Sequence, residues 1–72
     1  MDQIKIGKFI AMLRKDNNMT QLELANILGV TDRAISKWEN GRGLPEVSLI
    51  VPLCRALNIS ADELFAGEKY KK

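Results

Sequence analysis

Apolar residues recur every three or four positions along the first part of the chain, which predicts an amphipathic helix from Gln3 to Asp16. Its apolar face is formed by Ile6, Phe9, Ile10 and Leu13. The polar segment "DNN" that follows is expected to end this helix. No segment shows the two-residue alternation of a half-buried strand, so the pattern indicates an all-α chain.

Capping residues predict the bounds of the second helix. Thr20 and Glu23 have the spacing of a capping box, in which each side chain accepts a hydrogen bond from the other residue's backbone amide. The helix is therefore expected over residues 21–28. Gly29 follows the last apolar residue, and a glycine can adopt the left-handed conformation that ends a helix.

The third and fourth helices have weaker boundary patterns. Thr31 can cap a helix over residues 32–39, and the "NG" that follows can end it. The segment "LPEVSLIVPLCRAL" indicates a turn and a fourth helix that ends near Leu57. Pro52 is expected in the first turn of this helix, because a proline deeper inside would cost about 3 kcal/mol.

The C-terminal part repeats the capping pattern of the second helix. Ser60 and Glu63 have the spacing of another capping box, and Gly67 is expected to end the fifth helix. Residues 1–67 are thus interpreted as one compact five-helix domain. The basic segment 68–72 is interpreted as a frayed tail.

The composition argues against several classes of function. The 72 residues, of which 46% are hydrophobic and 28% charged, make one small folded domain without room for an enclosed catalytic cavity. The chain contains no histidine and one cysteine, so neither an enzyme nor a metal or other cofactor site is expected. Cys54 lies in the apolar register "LCRAL", which favours a buried structural thiol over a reactive one.

The chain shows no segment directed to a membrane. Its longest apolar run, "LIVPL", is far shorter than the roughly 20 residues that span a bilayer, and the N-terminus lacks a signal-peptide pattern. A cytoplasmic protein without a membrane partner is therefore expected. The net charge of +2 is a weak indication of a polyanionic partner, because the charge of one surface matters more than the sum.

The second and third helices are expected to form a structural unit. Helices over 21–28 and 32–39, joined by three residues that include Gly29, are expected to cross at roughly 90–120° rather than lie side by side. Ala25 is small where the two helices approach, and the side chain of Trp38 faces the shared interior. These features predict a helix-turn-helix.

The segments "TQLELANILGVTDRAISKWENG" and "LCRALNISADELFAG" resemble the helix-turn-helix family of lambdoid phage repressors and Cro, the XRE-type transcriptional regulators. The resemblance covers Ile6 to Gly67, nearly the whole chain. It implies a lambda-repressor-like DNA-binding domain whose third helix lies in the major groove of an operator. The second helix would cross the phosphate backbone above it.

The polar side of the third helix carries the candidate base-reading residues. At about 100° per residue, one arc of this helix holds the polar side chains of Arg33, Ser36, Lys37 and Asn40. By the resemblance, the first three match positions that reach base edges, whereas a solvated surface without a task is the alternative. Asp32 has two interpretations: its carboxylate stabilises the helix N-terminus, or it accepts a hydrogen bond from a cytosine amino group.

The resemblance also implies phosphate contacts and a structural ion pair. Residues that match phosphate-contacting positions would position the protein without reading sequence. These residues are Gln21, Thr31, Asn40 and Arg42. Arg14 and Glu39 match a pair that bridges the first helix to the end of the third inside the domain.

The function expected from these features is sequence-specific regulation of transcription by a homodimer that binds a palindromic operator in double-stranded DNA. The dimer contact is expected in the segment after the third helix and at the C-terminal end. Repression is favoured because a small domain can act by occupying the operator, and activation is an alternative. A second hypothesis is an antitoxin that neutralises a toxin partner and represses its own operon. A protein-interaction module that has lost DNA binding would show acidic or apolar residues at positions 21, 33, 37 and 40, and the chain has none there.

Overall fold

The computed structural model describes residues 2–70 and shows five α-helices joined by short turns. The helices are α1 (Gln3–Asp16), α2 (Gln21–Leu28), α3 (Asp32–Glu39), α4 (Val47–Leu57) and α5 (Ala61–Ala66). No strand occurs among these residues, and the prediction of a five-helix, all-α domain is confirmed. No helix in the described part of the chain is long and apolar enough to cross a membrane.

Both capping boxes form as the sequence indicates. Thr20 Oγ1 accepts a hydrogen bond from Glu23 N at 3.0 Å, and Glu23 Oε1 accepts one from Thr20 N at 2.9 Å. Ser60 and Glu63 make the same pair of bonds at the start of α5. Gly29 has φ +71°, the left-handed conformation that ends α2 and turns the chain toward α3.

Pro52 lies deeper in α4 than expected. The helix begins at Val47, so Pro52 is in its second turn and the prediction of a first-turn position was wrong. A proline cannot donate a hydrogen bond to the carbonyl oxygen four residues earlier, that of Ser48, but both residues are exposed and water can hydrate that oxygen. The side chain of the N-cap residue Glu46 makes no capping hydrogen bond, so no capping pattern marked where α4 begins.

The described part of the C-terminal tail, which is predicted to fray, makes exposed contacts with the domain. Lys5 Nζ and Glu68 Oε1 form an exposed salt bridge of 2.8 Å. The backbone amide of Tyr70 donates a hydrogen bond to Glu63 Oε2 at 2.9 Å. These contacts connect the segment after α5 to α1 and to α5 itself. The last two residues of the predicted tail lie outside the described residues.

The core is assembled around α1, which contacts α3, α4 and α5. The buried apolar side chains of the core are Ile6, Phe9, Ile10, Leu13, Leu24, Ala25, Leu28, Ile35, Trp38, Leu53, Cys54, Leu57 and Leu64. Cys54 is a free thiol whose burial raises its pKa, as suits a structural residue. Gly7 lies where α1 comes close to α3: a Cβ atom on Gly7 would overlap the carbonyl oxygen of Trp38.

Candidate nucleic-acid interface

α3 has a buried side and an exposed side. Ile35 and Trp38 are inserted in the core, with exposed fractions of 0% and 6%. Arg33 and Lys37 are exposed on the other side, and Ser36 is partly exposed. The core therefore holds α3 in place while its polar side chains can still meet a ligand.

A shallow polar groove runs along this exposed side and the turn that follows it. We name it the α3 groove, and its lining residues are Arg33, Ser36, Lys37, Asn40 and Arg42. None of its three cationic side chains forms a salt bridge with a carboxylate group of residues 2–70. The groove thus presents positive charge without an acidic partner in contact, which favours a polyanionic ligand.

Two hydroxyl groups, one at the N-cap and one in the middle of α3, are oriented by local hydrogen bonds. Asn40 Nδ2 donates to the Ser36 carbonyl oxygen at 2.8 Å and to the Ser36 hydroxyl oxygen at 3.2 Å. Thr31 Oγ1 accepts a hydrogen bond from the backbone amide of Ala34 at 3.2 Å and so caps the helix. Each hydroxyl oxygen is an acceptor in these bonds, so each hydroxyl hydrogen can still be donated to a nucleic acid.

The turn after α3 restricts the side chain of Lys37. A Cβ atom on Gly43 would be 3.0 Å from Lys37 Cε and 3.5 Å from Lys37 Cδ, so the stem of Lys37 lies against this glycine. The backbone amide of Arg42 donates to the Lys37 carbonyl oxygen at 3.0 Å and fixes the start of the turn. The absence of a side chain at Gly43 therefore gives the Lys37 stem its place beside the groove.

Arg14 and Glu39 form a buried ion pair between α1 and α3. Arg14 Nε donates to Glu39 Oε2 at 2.6 Å and Nη2 donates to Oε1 at 3.1 Å, and only 10% and 7% of the two side chains is exposed. The hydrogen bond to Glu39 raises the pKa of Arg14, so its guanidinium group stays charged. Arg14 Nη1 also donates to the carbonyl oxygen of Met19 at 2.7 Å. Gln21 Nε2 donates to Glu39 Oε1 at 3.0 Å, so one carboxylate group joins α1, α2 and α3.

The other predicted site residues lie outside the groove lining. Gln21 begins α2 and is bonded to Glu39, and Thr31 is the N-cap of α3. Asp32 is exposed as the first residue of α3. No group of three or more His, Cys, Asp or Glu side chains within residues 2–70 is arranged to hold a metal ion.

Sequence reasoning did not identify Gly7 or Gly43 as residues that position α3 and its side chains. The sequence did contain an indication for Gly7. Glycine in the interior of a helix destabilises it relative to alanine, so a glycine there often indicates close packing against a neighbouring element. For Gly43 the sequence contained no such pattern, because its neighbour Lys37 is brought to it by the turn after α3.

Comparison with known proteins shows the family of this chain. A family model described as helix-turn-helix matches residues 10–64. The chain belongs to this helix-turn-helix family. The family resemblance expected from the sequence motifs is thereby confirmed, since the match includes all of α2 and α3.

Two named relatives are similar to most of this chain. The chain is 38% identical over 64 residues to Antitoxin PezA of Streptococcus pneumoniae serotype 4, a match that covers 89% of this chain and 40% of that protein. It is 39% identical over 61 residues to the cryptic phage CTXphi transcriptional repressor RstR of Vibrio cholerae serotype O1, with coverages of 85% and 54%. The chain thus spans less than two thirds of the length of these relatives.

A solved structure shows the same fold over nearly its full length. The crystal structure of the P22 c2 repressor protein in complex with synthetic operator 9T matches with a TM-score of 0.83 at 33% sequence identity. The match covers 88% of this chain and 96% of that one. The expectation of a lambda-repressor-like fold is confirmed.

Proposed function

We propose that the chain is a sequence-specific, DNA-binding transcriptional regulator that represses by occupying an operator. The observation that carries this proposal is the α3 groove, in which cationic and hydrogen-bonding groups share one surface of a helix held by the core. Base edges in the major groove present donors and acceptors, and phosphates present negative charge, so this surface complements both. Similarity to a repressor whose structure includes an operator supports the proposal. The proposed function implies a cytoplasmic location.

The proposed contacts divide into base reading and phosphate binding. Arg33, Ser36 and Lys37 read base edges, and Asp32 accepts a hydrogen bond from a cytosine amino group. The residues proposed to contact phosphates are Gln21, Thr31, Asn40 and Arg42. Base contacts determine sequence preference, whereas phosphate contacts fix the register of the protein on the duplex.

Arg33→Ala tests base reading. The variant is expected to bind the best operator more weakly by about 1–3 kcal/mol, because a guanidinium group fits the O6 and N7 acceptors of one guanine. Preference at one base pair per half-site should relax, and protein stability should barely change because the side chain is exposed. The operator is first selected from a random DNA pool, and the affinities of both proteins are then measured on operator and on random DNA.

Arg42→Ala is the control for this experiment, because Arg42 is an exposed, proposed phosphate contact, whereas the side chain of Asn40 is hydrogen-bonded to Ser36. Loss of a phosphate contact should weaken binding to all sequences about equally and leave the preferred bases unchanged. If Arg33→Ala instead lowered the affinity for operator and random DNA by the same factor, Arg33 would be a phosphate contact. Lys37 and Ser36 would then have to determine the sequence preference.

An apolar surface beside the turn after α3 supports the proposal of a homodimer on DNA. A groove of about 140 Å³ there is lined by Ile6, Leu44, Pro45, Val47, Ile50, Leu64 and Phe65. Val47 is 90% exposed and Phe65 is 43% exposed, and contiguous exposed apolar residues are typical of interaction sites. We propose that the same surface of a second copy covers this groove about a two-fold axis. Two domains could then bind operator half-sites about 34 Å apart.

Val47→Glu tests the homodimer. The added charge should oppose pairing of the two apolar surfaces, so affinity for a complete operator should fall while the free energy of unfolding stays nearly unchanged, because Val47 is exposed. Val51→Glu is the matched control, since Val51 is 56% exposed on the same helix but does not line the groove. Titrations of the complete operator and of an isolated half-site measure the effect. Wild-type protein that binds the isolated half-site as tightly as the complete operator would contradict the dimer.

The relative named as an antitoxin favours a second candidate function. An antitoxin would bind a toxin partner and repress its own operon, and the match to Antitoxin PezA covers 89% of this chain. Both functions use the same DNA contacts. A toxin that purifies in a stable complex with this protein would decide for the antitoxin.

A further inference from the structure

We propose that Glu39 is a positioning residue for DNA binding, because its carboxylate orients the side-chain amide of Gln21 toward the phosphate backbone. This inference rests on the proposed function, in which Gln21 contacts a phosphate. Glu39 is the last residue of α3 and Gln21 is the first residue of α2. They are joined by the hydrogen bond of 3.0 Å from Gln21 Nε2 to Glu39 Oε1.

The carboxylate that orients Gln21 is itself held in place. Arg14 donates to both of its oxygens, at 2.6 and 3.1 Å, and this fork fixes the plane of the carboxylate. Arg14 is in turn bonded to the carbonyl oxygen of Met19, two residues before Gln21 in the sequence. Only 7% of the Glu39 side chain is exposed. Glu39 therefore has little freedom to rotate away from Gln21.

The hydrogen bond selects which end of the Gln21 amide is available to an anion. A side-chain amide has two N–H donors and one carbonyl acceptor, and a phosphate accepts hydrogen bonds but repels the carbonyl oxygen. With one Nε2 hydrogen bonded to Glu39, the nitrogen is fixed and its second hydrogen can be donated to phosphate. An unrestrained glutamine would lose rotamer freedom on binding, and Glu39 has removed that freedom in the folded protein.

The ion pair also allows an acidic residue to lie beside the proposed phosphate contact of Gln21. An uncompensated carboxylate beside Gln21 would repel the phosphate that Gln21 contacts. Arg14 supplies an opposite charge at 2.6 Å, so the pair presents little net charge to DNA. The arrangement therefore retains the acceptor function of Glu39 without the repulsion of a free carboxylate.

A double-mutant cycle between positions 21 and 39 tests the inference. Gln21→Ala is expected to lower affinity for a mixed-sequence DNA duplex about tenfold in the wild-type background, the size of one hydrogen bond to a charged group. In the Glu39→Gln background the same change should have a smaller effect, because a neutral amide oxygen accepts the hydrogen bond from Gln21 more weakly than a carboxylate does and so restrains the Gln21 amide less. Glu46→Gln is the matched control: it removes the same charge from an exposed residue without a side-chain capping bond and should leave the Gln21→Ala effect at full size.

Two further measurements keep the test decisive if Glu39→Gln destabilises the domain. The cycle is repeated in Arg14→Met/Glu39→Leu, which removes the ion pair without leaving a buried charge. In the free wild-type protein, the hydrogen bond to Glu39 should separate the NMR resonances of the two Nε2 hydrogens of Gln21 more widely than in an exposed glutamine, and this separation should decrease in that double variant.

The outcomes separate this inference from the proposed function. An equal effect of Gln21→Ala in all backgrounds, with Arg33→Ala still altering base preference, would overturn the role of Glu39 alone. Failure of the wild-type protein to bind any duplex would overturn the proposed function and this inference with it, even if the Gln21 resonances showed the hydrogen bond.

Discussion

Arg14→Met is expected to lower the free energy of unfolding by about 3–5 kcal/mol, because it leaves the buried carboxylate of Glu39 without its partner. The two side chains are 10% and 7% exposed and joined by two hydrogen bonds, so water cannot replace the guanidinium group without disrupting the contact of α1 with α3. A domain of this length has a total stability of roughly 4–11 kcal/mol. The loss would therefore be a large part of the total, and urea titration of both proteins measures it.

Lys5→Met is the matched control, because the chain offers a second ion pair of different burial. Lys5 and Glu68 are 2.8 Å apart, but their side chains are 50% and 61% exposed. Solvent screens such a pair, so its loss should change the unfolding midpoint little. If Arg14→Met were no more destabilising than Lys5→Met, the pair of Arg14 and Glu39 would be solvated in solution.

The helix boundaries that could be predicted are those set by local chemistry. Thr20 with Glu23, and Ser60 with Glu63, form their hydrogen bonds within four residues, so the sequence alone contains the whole motif. The start of α4 was not predicted because its N-cap side chain makes no bond, and Pro52 was consequently assigned to the wrong turn. Pro52 is tolerated in the second turn because this face of α4 is exposed, and exposure is a property of the packed domain.

In the candidate site, too, local features could be predicted and features that depend on packing could not. Periodicity placed Arg33, Ser36 and Lys37 on the exposed side of α3, because that side is fixed by the apolar residues opposite. The hydrogen bond between Gln21 and Glu39 was not predicted, since it joins residues that are 18 positions apart and meet only through the crossing of α2 and α3. The resemblance to a family indicated candidate DNA contacts but not which residues orient one another.

A methyl group at position 7 is expected to be strongly destabilising. In the interior of an isolated helix, alanine is more favourable than glycine by roughly 0.5–1 kcal/mol, so helix propensity alone predicts that Gly7→Ala stabilises the protein. The structure predicts the opposite sign, because the new Cβ atom would overlap the carbonyl oxygen of Trp38 and lie 3.0 Å from that of Glu39. Both oxygens belong to the backbone at the end of α3, which cannot rotate away as a side chain can.

Gly7→Ala should therefore lower the free energy of unfolding by about 3 kcal/mol, the upper part of the range for overpacked cores, since α1 and α3 have to separate. Thermal and urea unfolding measure this loss. Gly43→Ala is the control, because its Cβ atom would meet only the flexible stem of Lys37 and stability should change little. If Gly7→Ala raised stability by the amount that helix propensity provides, α1 and α3 would lie farther apart in solution. The Arg14 and Glu39 side chains would then not be held as closely as their 2.6 Å hydrogen bond requires.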